Sequence, residues 1–561
     1  MNGSMPSSLE IAQRARIRPI SEVAGAAGLL EEEVEPYGRT KAKVHLSVLE
    51  RLRDRPDGRL VVVTALTPTS AGEGKTTTAI GLTQGLARTG TRAILCMREP
   101  SVGPVFGAKG GGTGGGYAQV LPMEEINLHF TGDFHAVTAA NNLLAAALDA
   151  SIYHDNPLTI EPRSITWPRT LDVNDRSLRQ TIIGLGGTAH GVPRESGFVI
   201  TAASEVMAVL ALARDPADLR ARMGRIVVAE TRARETVNAE ALRVAGAMAL
   251  LMKEAVHPNL VQTIEGQPVL IHAGPFGNIA TGNNSIIADR VAMKLADVVV
   301  TEAGFGADLG FEKFCHLICR GGDVQPSAAV VVATVRAVKM HGGLSEADAQ
   351  AGEDLEALRR GADNLAAHVD IVRSFGLPSV VAINRHATDS DRELDQLREL
   401  ASLAGAQEVA LNEGFSRGGE GSEELAKAVL ATLERPGRLR PVNEPGLHIR
   451  EQIERIATRL YGARTIELAE PAVKALAKLE SRGLAELPVC MAKTHMSLSH
   501  DPAQKGRPRD FVLPVRDLVP SVGAGFVVAL CGDIMLMPGL GRSPAFARMD
   551  VDADGRTVGL E

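Results

Sequence analysis

Residues 60–66 (LVVVTAL) form a β-branched run that passes into the glycine-rich stretch TPTSAGEGKT and then a helix-like segment over 76–88. This strand, turn and helix order constrains the fold more than any other feature of the chain. An apolar strand without polar alternation must be covered on both faces, as in a parallel sheet. A second run at 93–97 (AILCM) makes the stretch a βαβ unit with a right-handed crossover. Similar runs recur at 198–201, 269–272, 298–301, 330–334, 380–383 and 409–411, most of them followed by segments rich in Ala and Leu. The chain therefore reads as α/β, with a doubly wound, mostly parallel sheet whose chemistry gathers beyond the carboxyl ends of the strands.

The stretch Thr69-Ser70-Ala71-Gly72-Glu73-Gly74-Lys75-Thr76 matches a phosphate loop except that Thr69 replaces the first glycine. In such a loop, backbone N–H groups and the following helix N-terminus hold a polyanion, so few cationic side chains are needed. Lys75 is expected at the β and γ phosphates of a nucleotide, and Thr76 is expected to offer its hydroxyl to Mg²⁺. The expected fold is thus of P-loop NTPase type, carrying additional smaller α/β domains.

With 561 residues the chain exceeds the ~250–300 at which one core stops growing, so several domains are expected. The expected partition is a nucleotide-binding domain over 1–366, an α/β domain over 367–470 and a small domain over 471–561. Residues 436–445 (PGRLRPVNEP) carry three prolines and read as a linker; 447–460 reads as helical, with Gly462 as its stop.

A net charge of −7, with only 4 Tyr and 1 Trp, supplies neither the cationic footprint nor the stacking faces that nucleic acid requires. Cys96, Cys315, Cys319, Cys490 and Cys531 are odd in number and scattered, which argues against a disulfide framework and for a reducing compartment. Cys315 and Cys319 repeat along one helical face without the second close pair of a zinc site. No leader-like apolar segment follows Met1, and no run approaches the ~18 apolar residues of a membrane span, so a cytoplasmic protein without a membrane partner is expected.

Arg98 and Glu99 end the run at 93–97. If that strand lies within one or two positions of the loop strand, Arg98 can reach a transferring phosphoryl group; otherwise it pairs with a nearby carboxylate. Seven glycines within 107–116 allow close backbone approach to a ligand or positive φ; the alternative is a mobile surface loop. Asp133, within NLHFTGDFH, is a candidate acid, base or cation ligand, with a helix N-cap as the competing role.

Taken together, TPTSAGEGKTTT, REPSVGPVFGAKGG, NLHFTGDFHAVTAANNLL, ITWPRTLDVNDRSLR, GPFGNIATGNNSI, KLADVVVTEAGFGADLGFEKF, ATVRAVKMHGG, FGLPSVVAINR, GGEG, PVCMAKT, LSHDP and MPGL resemble the formate tetrahydrofolate ligase family along nearly the whole chain. The resemblance implies a three-domain subunit in which 367–470 contributes to the folate site, with ATP, formate and tetrahydrofolate as substrates. It also implies Mg²⁺ with ATP, an activating monovalent cation (K⁺ or NH₄⁺), a homotetramer and a monofunctional enzyme of one-carbon metabolism. Arg98 resembles the arginine that holds formyl phosphate, and Glu99 and Asp133 occupy positions that bear on the cation. The pterin-stacking positions fall on His386 and Phe415, in place of the family's Phe and Trp, and Thr281 stands where a His is expected. The chemistry agrees: formate has no leaving group and N10 of the folate is a weak nucleophile, so phosphorylating formate opens the route. A different carboxylate-activating ligase would share Lys75 and Arg98 but not the later motifs. A partitioning ATPase would carry a lysine where Ser70 stands, and a scaffold that had lost folate use has only His386 and Phe415 in its favour.

Overall fold

The computed structural model describes residues 5–70, 72–107, 111–435 and 437–560. Twelve strands form its central sheet. In chain order these are β1 (Val34–Pro36), β2 (Ala42–Val44), β3 (Arg59–Ala65), β4 (Ala93–Met97), β5 (Ala118–Leu121), β6 (Asn259–Thr263), β7 (Pro268–Ile271), β8 (Val298–Glu302), β9 (Pro326–Ala333), β10 (Ser379–Asn384) and β11 (Glu408–Asn412), with Gly114–Gly115 paired to β5. Across the sheet the order is β1-β2-β6-β7-β4-β8-β3-β9-β10-β11, and β5 pairs with β6. From β7 to β11 every pairing is parallel; β6 runs antiparallel to its neighbours and β1 to β2. The carboxyl ends of the parallel strands therefore share one edge, with the loop strand β3 near its middle.

Alternate residues of β3 feed two cores. Leu60 and Val62 face one, Val61 and Val63 the other. Helix α1 (Lys75–Arg88) closes the second core through Ala79, Ile80, Leu82 and Leu86, and α5 (Glu423–Leu433) adds Leu425 and Val429. The first core receives α2 (Asp133–Tyr153), α3 (Ile286–Leu295) and α4 (Leu355–Ser374). Each side chain withdrawn from water contributes about 1.5–3 kcal/mol, which explains why these strands read as unbroken apolar runs.

Four features depart from the sequence expectation. The run at 198–201 gives only a two-residue strand, Phe198–Val199, paired to Arg169–Thr170 outside the main sheet. The expected boundary at 366 falls inside α4, and β10 and β11 extend the same sheet beyond it. The proline-rich stretch at 437–445 is packed: Val442 and Asn443 are buried, and the Asn443 N–H donates to His316 Nε2 at 3.1 Å. Of the alternatives open to the glycines at 111–116, the mobile loop is the one that fails: Gly114 and Gly116 take positive φ (82° and 59°), and a Cβ on Gly112 would lie 2.9 Å from Pro100 and one on Gly116 2.1 Å from the Phe415 carbonyl oxygen. Residues 108–110 of that stretch lie outside the described residues.

Thr465–Leu468 pairs with Val512–Val515, and Val489–Ala492, Phe526–Leu530 and Asp517–Ser521 form a second small sheet. Leu513, Met491 and Val527 of these sheets share the first core with β3, so the residues after 470 are packed on the central body. The helix Ile449–Ile456 continues through a wider turn and ends at Gly462, whose φ of 83° is the left-handed conformation glycine adopts without strain. No helix among the described residues is long and apolar enough to cross a membrane.

Candidate active site

The turn after β3 is shaped by Gly72 and Gly74, at φ 72° and 74°. Gly74 caps α1, and a Cβ there would meet Asn384 Nδ2 at 2.9 Å, so a side chain is excluded by both conformation and space. Lys75 opens the helix. Inside the turn the buried Glu73 carboxylate accepts from the Thr69 N–H at 2.6 Å and the Thr69 hydroxyl at 3.1 Å, and it faces Lys75 Nζ at 3.8 Å. Ser70 Oγ donates to Glu346. Ala71 lies outside the described residues.

Three neighbouring strand ends converge beside Lys75. Strand β4 lies two positions from β3, with β8 between them. Glu302, the last residue of β8, accepts from Thr76 Oγ1 at 2.8 Å through one carboxylate oxygen and stands 3.7 Å from Arg98 Nη2 through the other. The Arg98 Nε is buried without a hydrogen-bond partner. The Arg98 guanidinium therefore leans toward Glu302 rather than Glu99. Glu302 carried no distinctive signal in the sequence: an acid closing VVVTE is visible, but its place between Thr76 and Arg98 depends on strand order.

Glu99 turns away from the loop, into a buried cluster. Lys43 Nζ donates to Asp133 at 2.9 and 3.1 Å and to Asn259 Oδ1 at 3.0 Å, while Asn259 Nδ2 donates to Asp133 at 2.7 Å. Asp133 is the first residue of α2, whose cap is Gly132, and its oxygens are spent on Lys43 and Asn259, so the N-cap role is not the one it plays. Burial pushes the Glu99 carboxyl well above the ordinary range; the Asp133 and Asp172 charges add to this and Lys43 opposes it. Burial also raises Asp133, against the pull of Lys43 and Asn259. One Glu99 oxygen has no hydrogen-bond partner. Lys43 left no signal in the sequence, because it sits on a three-residue strand of the far antiparallel edge.

His386 and Phe415 follow the ends of β10 and β11, where Asn384 and Asn412 are register partners. Phe415 is 52% exposed, while its carbonyl accepts from the Tyr117 N–H at 2.9 Å. The His386 N–H donates to Asp389 at 2.8 Å, and the ring lines a cavity of about 240 Å³ with Arg336, Gln350 and Asp389. Thr281 is buried, and its hydroxyl has no hydrogen-bond partner. A roomier cavity of about 440 Å³ opens by Glu35, Tyr37, His45 and Glu254 at β1, the far edge from the loop. Among the described residues no group of three or more His, Cys, Asp or Glu side chains could hold a metal, and all five cysteines are free and buried.

Residues 6–561 match the family model described as formate–tetrahydrofolate ligase. A protein of that name from Symbiobacterium thermophilum is 54% identical over 557 residues, covering 99% of this chain and all of the relative. One from a Roseiflexus species is 52% identical over 563 residues with the same coverage, and one from Bacillus licheniformis is 53% identical over 555 residues, 99% of each chain.

Proposed function

The chain belongs to the formate–tetrahydrofolate ligase family, and from that membership we infer how its residues carry the ATP-dependent formation of 10-formyltetrahydrofolate from formate and tetrahydrofolate. The turn at 69–76 is a phosphate loop. Its N–H groups and the start of α1 hold the triphosphate, and Lys75 Nζ neutralises the γ-phosphoryl oxygens. A formate oxygen attacks that phosphorus, ADP leaves, and formyl phosphate forms. N10 of tetrahydrofolate then attacks the formyl carbon, and inorganic phosphate departs as N10 loses its proton. Arg98 holds the anionic intermediate between the two steps, because its guanidinium offers a planar fork of donors.

The observation that carries this reading is Glu302, which touches Thr76 and faces Arg98 across the strand ends next to Lys75. A hydroxyl and one carboxylate suit Mg²⁺, which takes few protein ligands and completes its shell with phosphate and water. Thr76 and Glu302 would hold it, and it would neutralise charge on the β and γ oxygens. For the monovalent cation, the unpartnered buried oxygen of Glu99 is the fitting ligand, and the Asp133 carboxylate adds negative charge to the same buried cluster. Phe415 and His386 supply flat faces for the pterin, the imidazole being the smaller and more polar.

Exposed Ile182 and Leu185 on the hairpin that joins Thr181–Ile183 to Arg194–Ser196 support assembly into a homotetramer, which sedimentation of the purified protein tests. Free, buried thiols support a reducing cytoplasmic setting. The decisive experiment uses ¹⁸O-formate with ATP, Mg²⁺, K⁺ and tetrahydrofolate. One labelled oxygen must appear in the released phosphate for each 10-formyl product; unlabelled phosphate would rule out the acyl phosphate.

A further inference from the structure

We propose that Asn384 and Asn412 form an amide relay that makes occupancy of the phosphate loop and binding of the pterin at His386 and Phe415 mutually dependent. The proposal rests on the folate reading of those two residues. Asn384 Nδ2 donates to the Glu73 carbonyl at 2.8 Å, the peptide just before the Gly74 cap. Asn384 Oδ1 accepts from Thr78 Oγ1 at 3.0 Å and from Asn412 Nδ2 at 2.7 Å. Asn412 Oδ1 in turn accepts from Ser422 Oγ at 2.7 Å and from the Gly414 N–H at 3.3 Å, one residue before Phe415. The amide donates to the loop carbonyl with one arm and accepts with the other, and the single proton of Thr78 Oγ1 is shared between Asn384 Oδ1 and the Gly74 carbonyl at 2.9 Å. Thr78, Asn412 and Ser422 are buried, so water cannot take over the bonds at that end of the chain.

At the loop end the Glu73 carboxylate occupies the Thr69 N–H and stands 3.8 Å from Lys75, the groups that an incoming phosphate would claim. Like charge then expels the carboxylate, and the peptide that Asn384 holds must follow. The far end is stiff: a Cβ on Gly81 would lie 2.5 Å from Ser422 Oγ and one on Gly85 2.6 Å from the Ser422 carbonyl oxygen. A shift at the start of α1 therefore reaches Gly414 and Phe415 rather than being absorbed, which is the requirement for coupling between two sites.

Calorimetric titration of the full chain tests this. Tetrahydrofolate affinity is measured with and without Mg²⁺ and a non-transferable ATP analogue, and analogue affinity with and without tetrahydrofolate. The parent is expected to show the same factor both ways, ~5-fold or more, and Asn384→Asp and Asn412→Ala are expected to bring it below ~2-fold. Asn412 does not touch the loop, so Asn412→Ala decides the matter should Asn384→Asp fail to fold or to bind nucleotide. Absence of coupling in the parent, or full coupling in a folded Asn412→Ala protein, overturns the relay. Phe415→Ala separates the two ideas: unchanged tetrahydrofolate affinity there overturns the folate reading and the relay with it. Weakened affinity there together with intact coupling in the Asn variants overturns the relay alone.

Discussion

Lys43 and Asp133 meet at 2.9 Å, both almost fully removed from water, and the desolvation of each charge is offset by the other and by Asn259, with the His257 carbonyl also accepting from Lys43 at 3.1 Å. Lys43→Met should therefore cost about 3–5 kcal/mol in urea denaturation, because Asp133 is left buried and unpaired. A loss below about 1 kcal/mol would show that Asp133 takes up a proton instead, the direction in which burial already pushes it. Beside the loop, Lys75→Ala should lower turnover ~100-fold or more while tetrahydrofolate still binds, since the γ oxygens lose their cation. Glu302→Gln should raise the Mg²⁺ concentration needed for half-maximal rate; an unchanged requirement would remove Glu302 from the metal. His386→Phe should leave kcat intact and hold or lower the KM for tetrahydrofolate.

At the scale of elements, α1 carries the loop's lysine at one end and packs against Ser422 through glycine along its length. Alanine in place of a helical glycine ordinarily stabilises by up to ~1 kcal/mol. In α1 the 2.6 Å approach of a Gly85 Cβ to the Ser422 carbonyl reverses the sign, and Gly85→Ala should cost about 1–3 kcal/mol through overpacking. Gly246, in helix Ala245–Leu251, has no heavy atom within 4 Å of its would-be Cβ, so Gly246→Ala should raise the melting temperature. Paired melts of the two variants test whether the close contact of α1 with Ser422 is rigid. The strand runs were legible because each needs only local apolar content. The run at 198–201 shows the same content and still fails to join the sheet, since pairing partners are chosen by the whole chain.

Across the molecule, buried histidines tie the loop after β3 to distant segments. His368 bonds the Thr67 hydroxyl at 2.9 Å and accepts from the Ala307 N–H at 3.1 Å; His341 donates to the Thr67 carbonyl at 2.8 Å and accepts from the Gly506 N–H. Burial lowers both to about 4. The unfolded chain therefore binds more protons than the folded one between 6.5 and about 4, and the contribution of each ring, complete above 6.5, is lost as pH falls through that window. The buried carboxyls of Glu205 and Asp289, raised to about 7, act in the opposite sense. A difference measurement isolates one ring: between pH 7 and 4.5, His368→Gln should lose less stability than the parent, by up to about 3 kcal/mol. Identical slopes would mean that His368 is protonated in the fold. The strand, the glycine turn at 69–76, the helix after it and the family could be read in the sequence, because these depend on residues adjacent in the chain. Tertiary structure alone decided that Glu302 stands between Thr76 and Arg98, that Lys43 meets Asp133, and that Asn384 holds the loop. Each of those contacts joins residues 90 to more than 300 positions apart, and it exists only because the sheet interleaves its strands out of chain order.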